Sequence, residues 1–94
     1  MIFGETIRKQ RGNKKLPLRQ AAAFFEVDTA FVSKLERGER NANREQVIKL
    51  AEFLDTPAEP LITVWLADKI SNIINNSEEG EQALKLVLKT YKKK

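Results

Sequence analysis

Residues 16–40 read LPLRQAAAFFEVDTAFVSKLERGER, and this stretch decides the fold. Leu18, Ala21, Ala22 and Phe25 recur at helical spacing, and Pro17 is suited to a first helical position, where its missing N–H leaves no bond unmade. Glu26-Val27 forms a very short connection. Asp28 is an N-cap for a second short helix that Gly38 stops. This second helix turns only Val32 and Leu35 inward, with Val27 tucked into the turn before it, and leaves Thr29, Ala30, Phe31, Ser33, Lys34 and Arg37 facing elsewhere. Two short helices joined by so few residues must cross steeply, and the small run Ala21-Ala22-Ala23 lets them approach closely.

Helical periodicity extends in both directions from this pair. Upstream, Phe3 and Ile7 share a face of a segment over roughly 3–11, which Gly12-Asn13 is expected to end. Downstream, Glu39-Arg40-Asn41-Ala42 leads to Asn43, an N-cap with Glu45 and Gln46 placed for the helix dipole and a capping box. Val47, Leu50, Ala51 and Leu54 then follow at i, i+3, i+4 and i+7. A fifth segment over roughly 58–75 carries Leu61, Ile62, Val64, Trp65, Leu66, Ile70, Ile73 and Ile74. A sixth is expected to start at a Ser77 cap and to place Leu84, Val87, Leu88 and Tyr91 on one stripe before ending in lysines. No stretch alternates apolar and polar as a half-buried strand does. The reading is all-α.

The chain has 94 residues, 41% of them hydrophobic and 32% charged, which is room for one small core and no deep catalytic cleft. It holds no cysteine and no histidine. That removes disulfides, thiolate nucleophiles, the imidazole base and the usual zinc sites. No signal sequence is visible at the start, and no apolar run approaches the roughly 20 residues that a bilayer needs. The expectation is a cytoplasmic protein that is not an enzyme, with no cofactor, metal, small-molecule ligand or membrane partner. Of its net charge of +4, the local excess lies within residues 1–19, where Arg8, Lys9, Arg11, Lys14, Lys15 and Arg19 face the single acid Glu5. Such a patch is either a solvated face or a phosphate-binding surface. Lys14 and Lys15 read as loose loop lysines that add nonspecific attraction.

Residues 16–40, and Val32-Ser33-Lys34-Leu35-Glu36-Arg37-Gly38-Glu39-Arg40 most specifically, resemble the helix-turn-helix of the Cro/phage-repressor (XRE) family. Residues 43–54 match that family's fourth helix, so the resemblance covers roughly 3–60. It implies a lambda-repressor-like helix-turn-helix domain of four to five helices, here with a C-terminal helical extension, and binding to double-stranded DNA. Small restriction–modification controller proteins are similar in size. By position, the resemblance places Thr29, Ala30 and Lys34 toward base edges, and Ser33 and Arg37 at base or phosphate contacts. It places Arg44 toward the backbone or minor groove. Phe31 is either a further base-side contact or rim packing against the fourth helix. Arg37, Arg40 and Asn41 sit beside Gly38, where phosphate contact is expected. The chain departs from the family at Pro17-Leu18, where Arg19 or Gln20 takes over the phosphate contact of a missing glutamine. It departs again at Glu26, which replaces a turn glycine and must be either an ordinary right-handed turn residue or a strained left-handed one. Glu36 reads as structural, bracing the turn through a nearby arginine.

Residues 1–56 are thus taken as the DNA-binding core and 57–94 as helices added for self-association. One helix-turn-helix reads few base pairs, and two-fold pairing doubles the site. The breadth of the fifth segment's apolar surface implies burial on two sides. A homodimer interface is expected from Ile62, Trp65, Leu66, Ile70, Ile73, Leu84 and Leu88, with Trp65 serving either there or in the core. The function expected is a small repressor or autoregulator acting on an inverted-repeat operator. The alternative is the antitoxin of a toxin–antitoxin pair, whose partner would be a toxin protein.

Overall fold

The computed structural model describes residues 2–91; the terminal lysines Lys92–Lys94, assigned above to the end of the sixth helix, lie outside the described residues. Six α-helices follow one another: α1 (Ile2–Asn13), α2 (Leu18–Phe25), α3 (Thr29–Glu36), α4 (Arg44–Phe53), α5 (Ala58–Ile74) and α6 (Gly80–Thr90). No strand occurs among the described residues, so the chain is all-α as its periodicity predicts.

The helix starts follow the sequence. The Asp28 carboxylate accepts from the Phe31 N–H at 2.8 Å. Asn43 accepts from the Gln46 N–H at 2.8 Å, while the Gln46 side chain accepts from the Asn43 N–H at 2.9 Å, closing the capping box. Each cap satisfies amides that the first turn leaves without partners. The start of α6 differs from expectation. Ser77 Oγ donates to Glu79 Oε1 at 2.7 Å and accepts from the Glu79 N–H at 3.3 Å, closing a turn upstream, and the helix begins only at Gly80.

The helix ends hold the larger surprise. Four helices close with the same pair of bonds: Leu16 N–H to Arg11 and Lys15 N–H to Gly12 after α1, Val27 to Ala22 and Glu26 to Ala23 after α2, Glu39 to Lys34 and Gly38 to Leu35 after α3, Thr56 to Ala51 and Asp55 to Glu52 after α4. This is the Schellman closure, which requires a left-handed residue at its corner. Gly38 supplies it after α3 at φ 77°, but Lys15, Glu26 and Asp55 supply it elsewhere at φ 56°, 58° and 51°. Gly12-Asn13 therefore does not end α1, which runs through both residues to a corner at Lys15.

The core joins α1, α3, α4 and the first turn of α5: Phe3, Ile7, Leu35, Val47, Leu50, Ala51, Leu54 and Leu61 are buried together, with Ala42. Ala21, Ala22 and Val32 form a smaller group where α2 meets α3. Each such Val, Leu or Ile contributes roughly 1.5–3 kcal/mol relative to exposure. Leu61 lies within this core, so α5 starts as part of the same packed body. The α6 helix packs on α5 and on no other described helix.

Candidate nucleic-acid interface

The α3 helix is held from behind. Arg11 on α1 donates from Nε to Glu36 Oε2 at 2.7 Å, from Nη2 to Glu36 Oε1 at 3.1 Å, and from Nη1 to the Leu16 carbonyl at 2.8 Å. Glu36 is buried, and its hydrogen bond holds the Arg11 pKa above the ordinary arginine value, against the opposing effect of partial burial. One residue thus ties the end of α3 and the corner after α1 together. Gly4 lets α1 come this close, since a Cβ there would run into the Leu35 and Glu36 carbonyls. The N-terminus of α1 is fixed in turn by Asp68 of α5, which is 5% exposed and accepts from the Ile2 N–H at 3.1 Å and the Phe3 N–H at 2.7 Å.

With Val32, Leu35 and Glu36 turned inward, the other side of α3 is open. Thr29, Ala30, Lys34 and Arg37 are exposed, and Ser33 is half-buried. Phe31 is also half-buried: its ring packs against both apolar groups, and the Arg40 guanidinium lies 4.9 Å from its centroid. Val27, Asp28, Ala30, Phe31, Lys34 and Arg40 line one shallow depression along this helix. Arg37 Nε pairs with Glu39 Oε2 at 2.9 Å on the exposed rim. Asn41 and Arg44 are exposed at and after the α3–α4 loop, and Arg19 and Gln20 are exposed on the first turn of α2.

Two basic groups of the N-terminal patch are committed elsewhere. Arg11 is in the buried pair, and Lys14 is no loose lysine: its ammonium donates to the Leu54 carbonyl and, at 3.2 Å, to that of Asp55, satisfying the end of α4. Arg8, Lys9 and Lys15 remain exposed.

The residues expected at a dimer interface divide. Ile62 and Trp65 are half-buried against the chain's own core, and Trp65 Nε1–H donates to the Ala42 carbonyl at 2.8 Å. Leu66, Ile70 and Ile73 are exposed on α5; Leu84 on α6 is half-buried and Leu88 is exposed. Ile70, Ile73, Leu84 and Leu88 line an apolar groove of about 570 Å³ between the two helices, together with Ile74, Ala83, Val87 and Tyr91.

Asp68 and Lys14 are contacts that sequence reasoning missed. A lone carboxylate inside an apolar helical run was the available signal for Asp68. Nothing local marks Lys14, because its acceptors lie forty residues away in sequence.

Two short helices joined across Glu26–Asp28, the second buried on one side and open on the other, define a helix-turn-helix unit. A helix-turn-helix family model matches residues 7–61, more than half of the chain, and the chain belongs to the XRE-type helix-turn-helix family. It is 39% identical over 61 residues to the HTH-type transcriptional repressor RghR of Bacillus subtilis (strain 168), covering 64% of this chain and 45% of that protein. It is 30% identical over 90 residues to the uncharacterized HTH-type transcriptional regulator RghRB of the same organism, covering 95% of this chain and 63% of that protein. The chain therefore spans between about half and two thirds of the length of these relatives.

Proposed function

We propose that this chain is a double-stranded DNA-binding transcriptional regulator that acts as a repressor, with α3 as its recognition helix. The observation that carries this reading is the open side of α3: Thr29, Ala30 and Lys34 are exposed while the helix is locked from behind by Arg11. Side chains on the first turns of such a helix enter a major groove about 12 Å wide. Lys34 donates there to guanine O6 or N7, and Thr29 and Ala30 meet thymine methyl groups. Ser33 and Phe31 border these contacts. Arg19, Gln20, Arg37, Arg40, Asn41 and Arg44 bind phosphates and set the register. The names of the two Bacillus relatives support the same reading.

In this reading the protein works as a homodimer on an inverted repeat, through the outward face of α5 and α6. The support is chemical: Ile73 is 74% exposed and Leu88 68%, beside the exposed Ile70, Val87 and Tyr91, a contiguous apolar surface of the kind that marks an interaction site. Of the phosphate-binding side chains, Arg19, Arg37, Arg40 and Arg44 are the four charged contacts of each subunit, the ones that release counterions. The dimer's affinity for duplex DNA then falls with a log–log salt slope of about −7 from these groups. Fluorescence anisotropy on a labelled mixed-sequence duplex, repeated across salt concentrations, tests the reading. A steep linear slope is expected, and absence of binding at low salt overturns it.

A further inference from the structure

We infer that Lys69, on α5 and outside the helix-turn-helix, is a further DNA-backbone contact that extends the footprint past the α3–α4 loop. This rests on the DNA-binding reading above. Lys69 is the single basic residue of α5 and stands one turn beyond Trp65. The Trp65 indole is bonded to the Ala42 carbonyl and so fastens this part of α5 to the loop that carries Arg37, Arg40 and Asn41. The Lys69 ammonium lies 4.3 Å from the centroid of the Trp65 ring, which draws the side chain back toward that loop.

The basic groups lie along neighbouring features of one side. Lys69, Arg40 and Asn41 line one narrow crevice, together with Ala42, Trp65 and Asp68. Arg40, from its place over Phe31, lines the adjoining one with Lys34 and Ala30. The run Lys34, Arg40, Asn41, Lys69 thus passes from the open side of α3 over the loop to α5. Among the described residues no carboxylate pairs with Lys69. The adjacent Asp68 is turned inward onto the Ile2 and Phe3 amides, leaving the exposed ammonium to solvent or to an anion. Cations set along one surface at the edge of a recognition helix follow a phosphate backbone, and an aromatic face is a weak resting place that a phosphate displaces.

The contact is to backbone, so it predicts a charge effect without a sequence effect. Each additional phosphate steepens the salt slope by about 0.9, so a dimer using Lys69 has a slope of about −9 rather than −7. Lys69→Gln should return it to about −7 and weaken binding on every duplex by the same factor, leaving the ranking of sequences unchanged. Lys85→Gln, on α6 and paired with Glu81 at 3.4 Å, serves as the control lysine and should leave the slope where it was. Circular dichroism of both variants checks that the helices are intact. If the wild-type chain binds with a steep slope and Lys69→Gln leaves that slope unchanged, Lys69 is not a contact and the inference falls while the DNA-binding reading stands. An equal loss in Lys85→Gln reduces the effect to net charge and also overturns the inference. Failure of the wild-type chain to bind any duplex removes both.

Discussion

Arg11 and Glu36 meet side by side, Nε to Oε2 at 2.7 Å and Nη2 to Oε1 at 3.1 Å, and through this pair the first helix grips the last turn of α3. Breaking a buried pair from one side is costly because the remaining charge loses its partner. Arg11→Ala should destabilise the chain by about 3 kcal/mol, near the lower end for buried pairs because Arg11 is partly exposed. Arg11→Lys should recover little, since an ammonium cannot make the forked contact. Urea denaturation of these two variants, with Arg11→Ala, Glu36→Ala and the double variant read as a double-mutant cycle, checks the coupling.

The pH dependence of this pair follows from the direction of the Arg11 shift. Its folded pKa lies above the ordinary arginine value, so its contribution is fully present below that value and is lost only as pH rises through the raised folded one. Denaturation midpoints from neutral pH into the mildly alkaline range should show no loss from Arg11.

Glu26 stands at φ 58° and ψ 40° at the corner between α2 and α3, a conformation that costs a non-glycine residue roughly 1–2 kcal/mol. Glu26→Gly relieves this strain and loses part of the gain to chain entropy, so a net stabilisation of about 0.5 kcal/mol is expected. For a domain of this size that raises Tm by roughly 2–4 °C. Glu26→Val should lower Tm, because a β-branched side chain fits this region worst.

Arg37 is paired with Glu39 on the rim, and a phosphate must compete with that carboxylate. Exposed pairs of this kind are worth roughly 0.2–1 kcal/mol. Glu39→Gln should therefore tighten binding to all duplexes by roughly 1.4–5-fold per subunit at low salt, the gain shrinking as salt rises. Titration of one mixed-sequence duplex at two salt concentrations measures it.

The apolar face of α5 and α6 gives a prediction about assembly. Leu88→Glu, at a 68% exposed position, should leave the fold intact while placing a charge within the proposed interface. Sedimentation should show the wild-type chain as a dimer and the variant as a monomer. A wild-type chain that stays monomeric with and without DNA would contradict the homodimer and leave α6 as a helix that only covers α5 of its own chain.

The sequence was most legible where structure is local. Caps at Asp28 and Asn43, the inward set of α4 and the division of α3 into buried and open sides depend on residues within a turn of one another. Less legible were contacts that join distant segments. Lys14 reads as a loop lysine until Leu54 is brought to it, and Asp68 reads as one acid in an apolar run until the start of α1 arrives. Spacing left Glu26 open between two conformations because the choice depends on where α3 must go. For Trp65 spacing allows core or interface, and the structure sets it half-buried against the core with its indole N–H on the Ala42 carbonyl. Glu36 reads as a structural brace of the turn through a nearby arginine, and Arg11 is that arginine.

At the proposed interface, Lys34 and Arg44 should separate by kind of effect. Lys34→Ala should cost roughly 1–3 kcal/mol on the preferred site and relax base preference, while Arg44→Ala should weaken all sequences alike. The most direct measurement is selection of the purified wild-type chain on random duplex DNA, followed by the same selection with Lys34→Ala. An enriched inverted repeat is expected, with half-sites about one helical turn apart, whose consensus weakens in the variant at one position per half-site. Retention without any enriched sequence, or an identical consensus from the Lys34 variant, would contradict α3 as the element that reads the site.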